Sequence, residues 1–310
     1  MKKIISLILF VFLSVLPAQG RAEDLPVLDS NERDPRTFCP YSEGISREHL
    51  LIFVDVTDGM SEQQINLLKN DILSEDLLGS VGLYGKVSVV MLDGNKPVTS
   101  LEPEIVICRP KSGNSKSPDK RDHYDILTEN RKRIDLEYRI GYIRRLKEGM
   151  IKLVREKSKN LSESGYTPLM ESFHEISRSS AIDFGDKYDK KSLIVISNMY
   201  HNSRSVPLDK LCVRRIYRHS FPYSRYTRTW TCPSFEDIKK KRSNKFYLER
   251  KIRPNFKGDG TNVKLWILHR DVGSGGIRDS SLLDFWESYF KYVKGKVNFL
   301  DPDFESDPSS

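Results

Sequence analysis

Two acids and a threonine close an apolar run near the start of this chain. Residues 51–65 read LLIFVDVTDGMSEQQ, with Asp55, Thr57 and Asp58 just past the run. Their side chains offer hard oxygens, the donors that Mg²⁺ or Mn²⁺ prefers. A second polar set lies more than a hundred residues on. Thr167 stands in SGYTPL, and Asn198 ends the apolar run IVISN. Asp55, Thr57, Thr167 and Asn198 could hold a cation if one fold edge gathers them. The plainer alternative is structural. Asp55 would accept backbone N–H groups in a turn, and Thr167 would cap a helix.

A different chemistry is suggested by the segment between Asn198 and Val263. More than sixty residues separate these positions, too many for a plain loop in a compact domain. Its centre, LCVRRIYRHSFPYSRYTRTWTC, carries no acid from Leu211 to Phe235. Arg214, Arg215, Arg218, Arg225 and Arg228 alternate with Tyr217, Phe221, Tyr223, Tyr226 and Trp230. Arg and large aromatics are the residues on which binding hot spots are built. They also stack on nucleotides or sugars. A solvated hairpin with aromatics packed across its strands reads equally from this pattern. The KKKR run at 239–242 extends the basic character and on its own is an ordinary solvated charge run.

The elements that must position these residues alternate between strand and helix. HLLIFVDV (49–56), GKVSVVMLD (85–93), KSLIVISN (191–198) and VKLWILHR (263–270) are buried strands by their apolar runs. VTSLEPEIVIC (98–108), with Pro103 inside it, is an edge strand. KVNFL (296–300) closes the sheet. Ser61 is an N-cap, and Ile65, Leu68 and Ile72 give its helix one apolar face. A long helix spans about 128–158, with Leu136, Ile140, Ile143, Met150 and Val154 on its apolar stripe. Thr167 and Pro168 start another helix. Leu282, Trp286, Tyr289 and Val293 line one face of a last helix over 281–293. This order predicts an α/β, doubly wound, mostly parallel sheet with helices on both faces and one insertion. Sites in such sheets sit at the carboxyl ends of the strands, where Asp55 and Asn198 fall.

Address and charge narrow the function classes. Lys2 and Lys3, the apolar run Ile4 to Leu16, and Ala18-Gln19-Gly20 or Gly20-Arg21-Ala22 read as a secretory signal over residues 1–22. An uncleaved N-terminal anchor is the alternative. No second apolar run reaches membrane length, so a cleaved chain has no transmembrane segment. Residues 23–47 read as a polar, extended lead-in, 48–300 as one domain with its insertion at 203–260, and 301–310 as a polar tail. Removing residues 1–22 takes the formal charge from +8 to +5, which suits anionic partners. Cys39, Cys108, Cys212 and Cys232 are an even set, and disulfides are expected in an exported chain. The local pair Cys212–Cys232 would tie the insertion, by ~3 kcal/mol in the loop-entropy account. It leaves Cys39 to meet Cys108. Zinc is disfavoured without C-x-x-C spacing or a nearby His pair.

The first-strand run, SGYTPL and IVISN together resemble a von Willebrand factor A (vWA-like) domain over about residues 48–296. That family's metal-ion-dependent adhesion site reads D-x-S-x-S after the first strand, with a Thr and an Asp from later loops. Asp55 and Thr57 match its first two positions and Thr167 its Thr. Gly59 stands where the second Ser belongs, and Asn198 replaces the Asp. The resemblance implies an exported bacterial protein-binding module in an envelope or surface assembly, periplasmic or extracellular, with a degenerate Mg²⁺ or Mn²⁺ site. Its partner would be a protein with an acidic or anionic surface, and it would not be an enzyme. Cell-wall polymer and lipopolysaccharide are further anionic candidates.

Two readings from other classes stand beside it. Asp55 could serve a Mg²⁺-dependent phosphoester hydrolase. The haloacid-dehalogenase pattern D-x-D, however, finds Thr57 in its second acid's place and Asp58 one position late, its side chain directed elsewhere. Arg214 to Trp230 could bind nucleic acid in envelope DNA transfer. GSGG (273–276) lacks the Lys-Ser/Thr continuation of a phosphate loop. His174 reads as a packed or surface residue, and His201 is the one histidine close to the candidate site.

Overall fold

The computed structural model describes residues 28–160, 166–184, 187–204, 206–208, 213–219, 225–231, 233–240, 254, 261–267, 280–293 and 296–300. Six strands form one sheet: β1 (Glu48–Asp55), β2 (Lys86–Leu92), β3 (Pro103–Cys108), β4 (Lys190–Ser197), β7 (Asn262–Ile267) and β8 (Lys296–Leu300). Their spatial order is β3-β2-β1-β4-β7-β8. β2, β1, β4, β7 and β8 run parallel, and β3 returns antiparallel at the edge beside β2. The order therefore reverses between β1 and β4, the topological switch point of a doubly wound sheet.

Alternation along β1 explains the two-sided burial. Leu50, Ile52 and Val54 face one apolar layer, and Leu51 and Phe53 face the other. The first layer holds Ile65 of α1 (Glu62–Leu67), Leu78 of α2 (Glu75–Gly79), and Leu146, Met150 and Val154 of α4 (Arg145–Lys159). The second holds Met170 and Phe173 of α5 (Leu169–Ile176), Phe235 of α6 (Phe235–Lys240), and Trp286 and Tyr289 of α7 (Ser280–Tyr292). Phe235 and Ile238 thus fasten the far end of the insertion into the main core. Val206 and Leu208 enter the same core from its near end, and between them and Phe235 lies a separate antiparallel pair, β5 (Val213–His219) and β6 (Arg225–Thr231).

Three expectations change in detail. Strand 98–108 begins only at Pro103, and Val98–Ser100 is a 3₁₀ turn. Pro103, which has no N–H to give the ladder, is the first residue of the strand and pairs with Val90 beside an irregularity in the register. Residues 28–47 of the extended lead-in also pack on the domain: Phe38 joins the core layer beside Gly141, and Leu28 packs on Leu83 and Tyr84. Cys39 is bonded to Cys108, at the end of β3, which clamps this segment to the sheet.

The third change concerns the long helix. It runs as α3 (Arg131–Asp135), a π segment (Leu136–Arg144) and α4 without a break. The wider π turn rotates the apolar stripe. Tyr142 and Ile143 become the buried pair, while Leu136 and Ile140, expected inside, are 60% and 44% exposed.

Candidate functional site

Asp55 is the last residue of β1, beside the end of β4 at the switch point. The turn that follows needs Gly59 at φ +76°, and the Gly59 N–H donates to the Val56 carbonyl at 3.0 Å. A serine here, as the adhesion-site pattern asks, would sit in the left-handed region that L side chains avoid. The missing second Ser is thus a consequence of the turn.

Both Asp55 oxygens are engaged. Oδ1 accepts the Thr57 backbone N–H at 3.0 Å and its hydroxyl at 2.6 Å. Oδ2 accepts the Ser197 hydroxyl at 2.6 Å. Thr57 Oγ1 lies 2.9 Å from Thr167 Oγ1. Since Thr57 spends its only hydroxyl proton on Asp55, Thr167 is the donor of that pair. Thr167 does not cap its helix, whose N-cap is Pro168 with no side-chain cap bond. Its loop is fixed by reciprocal backbone bonds with Asn202, at 2.8 and 2.9 Å. Asp55, Thr57 and Thr167, from two distant loops, meet as expected of a site.

Asn198 does not join them. Its Nδ2 donates to Asp58 Oδ2 at 2.7 Å, and its Oδ1 accepts the Tyr200 N–H at 2.8 Å. Asn198 comes one residue after Ser197, and alternation along the strand turns its side chain the other way. Ser197, which sequence reasoning passed over, takes the position at Asp55. The signal was present: a serine ending the otherwise apolar run LIVIS. Just beyond, Met199 adopts φ +57°, and its carbonyl accepts the buried Trp286 indole N–H at 2.8 Å. This bond ties α7 to the site's floor.

The electrostatics single out Asp55. Burial raises its pKa, the Ser197 and Thr57 hydrogen bonds pull it back, and the Asp58 charge pushes it up again. Among the described residues no cationic side chain appears among these causes. A buried carboxylate with only neutral donors is poorly compensated, which is the condition a bound cation relieves. The donor set of one carboxylate and two hydroxyls fits a divalent ion that keeps several waters. Asp55, Thr57 and Thr167 would hold it. Such an ion supplies positive charge at the sheet edge. Among the described residues, no group of three or more His, Cys, Asp or Glu could hold a metal.

His201 lies under the Thr167 loop, fully buried. Its Nδ1 accepts the Met170 N–H at 3.4 Å, and its Nε2 is 3.7 Å from Glu171 Oε2. Burial lowers its pKa to about 4, with Glu171 opposing, so it stands neutral at neutral pH. It supports the loop and does not face Asp55's oxygens. His174 is packed, with Nε2 3.2 Å from Arg178 Nη1.

The insertion's strands pair Arg214 with Trp230, Arg215 with Thr229, Tyr217 with Thr227 and Arg218 with Tyr226, and Arg228 opposes Ile216. The alternating segment is a hairpin at the backbone level, and Arg225 opens its second strand. Tyr223, Cys212, Cys232 and GSGG lie outside the described residues. No helix among the described residues is long and apolar enough to cross a membrane. Compared with known proteins, the sequence matches no family model and no curated protein.

Proposed function

We propose that this chain is an exported vWA-like binding module of a bacterial envelope or surface assembly. It holds a protein partner at the edge formed by Asp55, Thr57 and Thr167, with Mg²⁺ or Mn²⁺ as the cation there. The observation that carries this reading is a chain of contacts from one buried carboxylate, Asp55, to the Thr57 hydroxyl and on to the Thr167 hydroxyl 110 residues away, with no cationic partner for Asp55 among the described residues. The switch-point position supports it, since ligands of doubly wound sheets gather there. The basic, aromatic hairpin from Arg214 to Trp230 is the second contact surface, suited by composition to an acidic or anionic partner.

Binding is favoured over phosphoester hydrolysis. Both oxygens of Asp55 are held by the hydroxyls of Thr57 and Ser197, so neither is free to attack phosphorus. Calorimetric titration of Mg²⁺ and Mn²⁺ into the protein and into Asp55→Ala tests the reading. Saturable heat from the parent, lost in the variant, is the expected result. No heat from the parent would remove the cation edge and leave the hairpin as the contact surface.

A further inference from the structure

The continuous helix formed by residues 131–159 holds eleven Lys and Arg against four Asp and Glu, a net +7 within a chain whose total is +8. The ridge, about 40 Å long, is one of two strongly basic segments, the other being the insertion over 203–260, and it is the one that forms a continuous helix. Its acids are all spoken for. Asp135 pairs with Arg139, Glu137 with Arg33 and Arg133, Glu148 with Arg144, and Glu156 with Lys152. Arg131, Lys132, Lys147 and Lys159 make no ion pair among the described residues.

The same stretch collects the exposed aliphatic side chains. Five large apolar residues are exposed among those described, and four are Ile126, Leu127, Leu136 and Ile140. Ile126 and Leu127, at 80% and 89% exposure, lie in the turn a few residues before the helix begins at Arg131. Leu136 and Ile140 continue a four-residue spacing from Lys132 to Arg144 along its outer side. They are outside because the π segment rotates the stripe.

We infer that this ridge is a membrane-facing surface that docks on an anionic lipid bilayer. Leu136, Ile140 and the Ile126–Leu127 turn enter the headgroup boundary, and the unpaired cations meet lipid phosphates. Cations beside bare aliphatics are what an interfacial helix needs. Nucleic acid offers the phosphates but no apolar phase, so it leaves the four aliphatics unexplained. Long Lys and Arg stems suit the boundary, since they lie along apolar surface with the charge outward. The inference stands apart from the cation edge and does not depend on it.

Sedimentation of the full chain with phosphatidylglycerol/phosphatidylcholine vesicles, against pure phosphatidylcholine vesicles, tests it. Partition onto the anionic vesicles alone is expected, falling as salt rises. Arg131→Gln with Lys132→Gln should weaken it roughly 25-fold, at about fivefold per charge. Leu136→Ser with Ile140→Ser should weaken it roughly tenfold while leaving the melting temperature unchanged or raised, because both are surface positions. Residues 1–22 are common to every variant, so the differences read the ridge. Absence of partition, or equal partition by parent and both double variants, overturns the inference. So does loss with the charge pair alone combined with equal binding of duplex DNA, which would make the ridge a general polyanion site.

Discussion

Two buried aspartates sit at opposite ends of the sheet and are held by opposite means. Asp122 is fully buried near the start of β2, in the loop after β3. Arg109 Nη2 donates to it at 2.6 Å, and the Ser112 N–H and hydroxyl donate at 2.6 and 2.8 Å. Its charge is answered by a guanidinium, and the Cys39–Cys108 bond anchors the neighbouring residue. Asp55, at the carboxyl end of β1, has hydroxyls and one amide but no cation among the described residues. A carboxylate that is matched in charge is a clamp. One that is hydrogen-bonded yet uncompensated is what the proposed cation edge rests on.

Variants sharpen the contrast, beginning with the clamped end. Cys39→Ser with Cys108→Ser should cost about 4 kcal/mol by the loop-entropy account for a loop of this length, read as a lower urea midpoint. An unchanged midpoint would show that the clamp does not depend on it. Asp122→Asn leaves the Arg109 guanidinium buried without its counter-charge and should cost about 3 kcal/mol. A small loss there would erase the distinction from Asp55.

Each end also buries a histidine, which allows a pH test. His49, whose Nε2 is 2.9 Å from Ser88 Oγ, has its pKa lowered by burial to about 3, and His201 to about 4. Below 6.5 the unfolded chain takes up protons that the fold refuses. The stability these residues contribute is therefore present above pH 6.5 and lost as pH falls toward 4 and 3. Between pH 6.5 and 5 the loss is about 2 kcal/mol for each histidine. Melting curves of His201→Gln should show a shallower decline over that range, and an identical decline would mean that His201 titrates normally in the fold.

Asp55 has the opposite sign and the smallest effect. Its raised folded pKa gives stability present below 3.8 and lost as pH rises through the folded value. At neutral pH without divalent cations, Asp55→Asn should therefore stabilise by about 1 kcal/mol, seen as a higher melting temperature. The parent should gain about 1.4 kcal/mol at a Mg²⁺ concentration tenfold above its Kd, and the variant nothing. Destabilisation by Asp55→Asn would make this carboxylate a clamp like Asp122.

The strand runs, the helix alternation and the two-faced sheet were legible in the chain, because period two in β1 and continuous apolar runs dictate burial on both sides. Ser61 as a cap was legible for the same local reason, since its hydroxyl accepts the Gln64 N–H three residues on. The candidate edge was legible in part. Asp55, Thr57 and Thr167 could be named, but their meeting depends on β1 and β4 becoming neighbours, and a contact 110 residues apart has no local signal. Ser197 displaced Asn198 at the carboxylate because strand alternation, fixed only once β4 is paired, decides which of two adjacent polar residues turns inward. The exposure of Leu136 and Ile140 was beyond sequence periodicity altogether. A regular 3.6-residue turn would have kept them on the buried stripe, and the π segment over residues 136–144 turns them out.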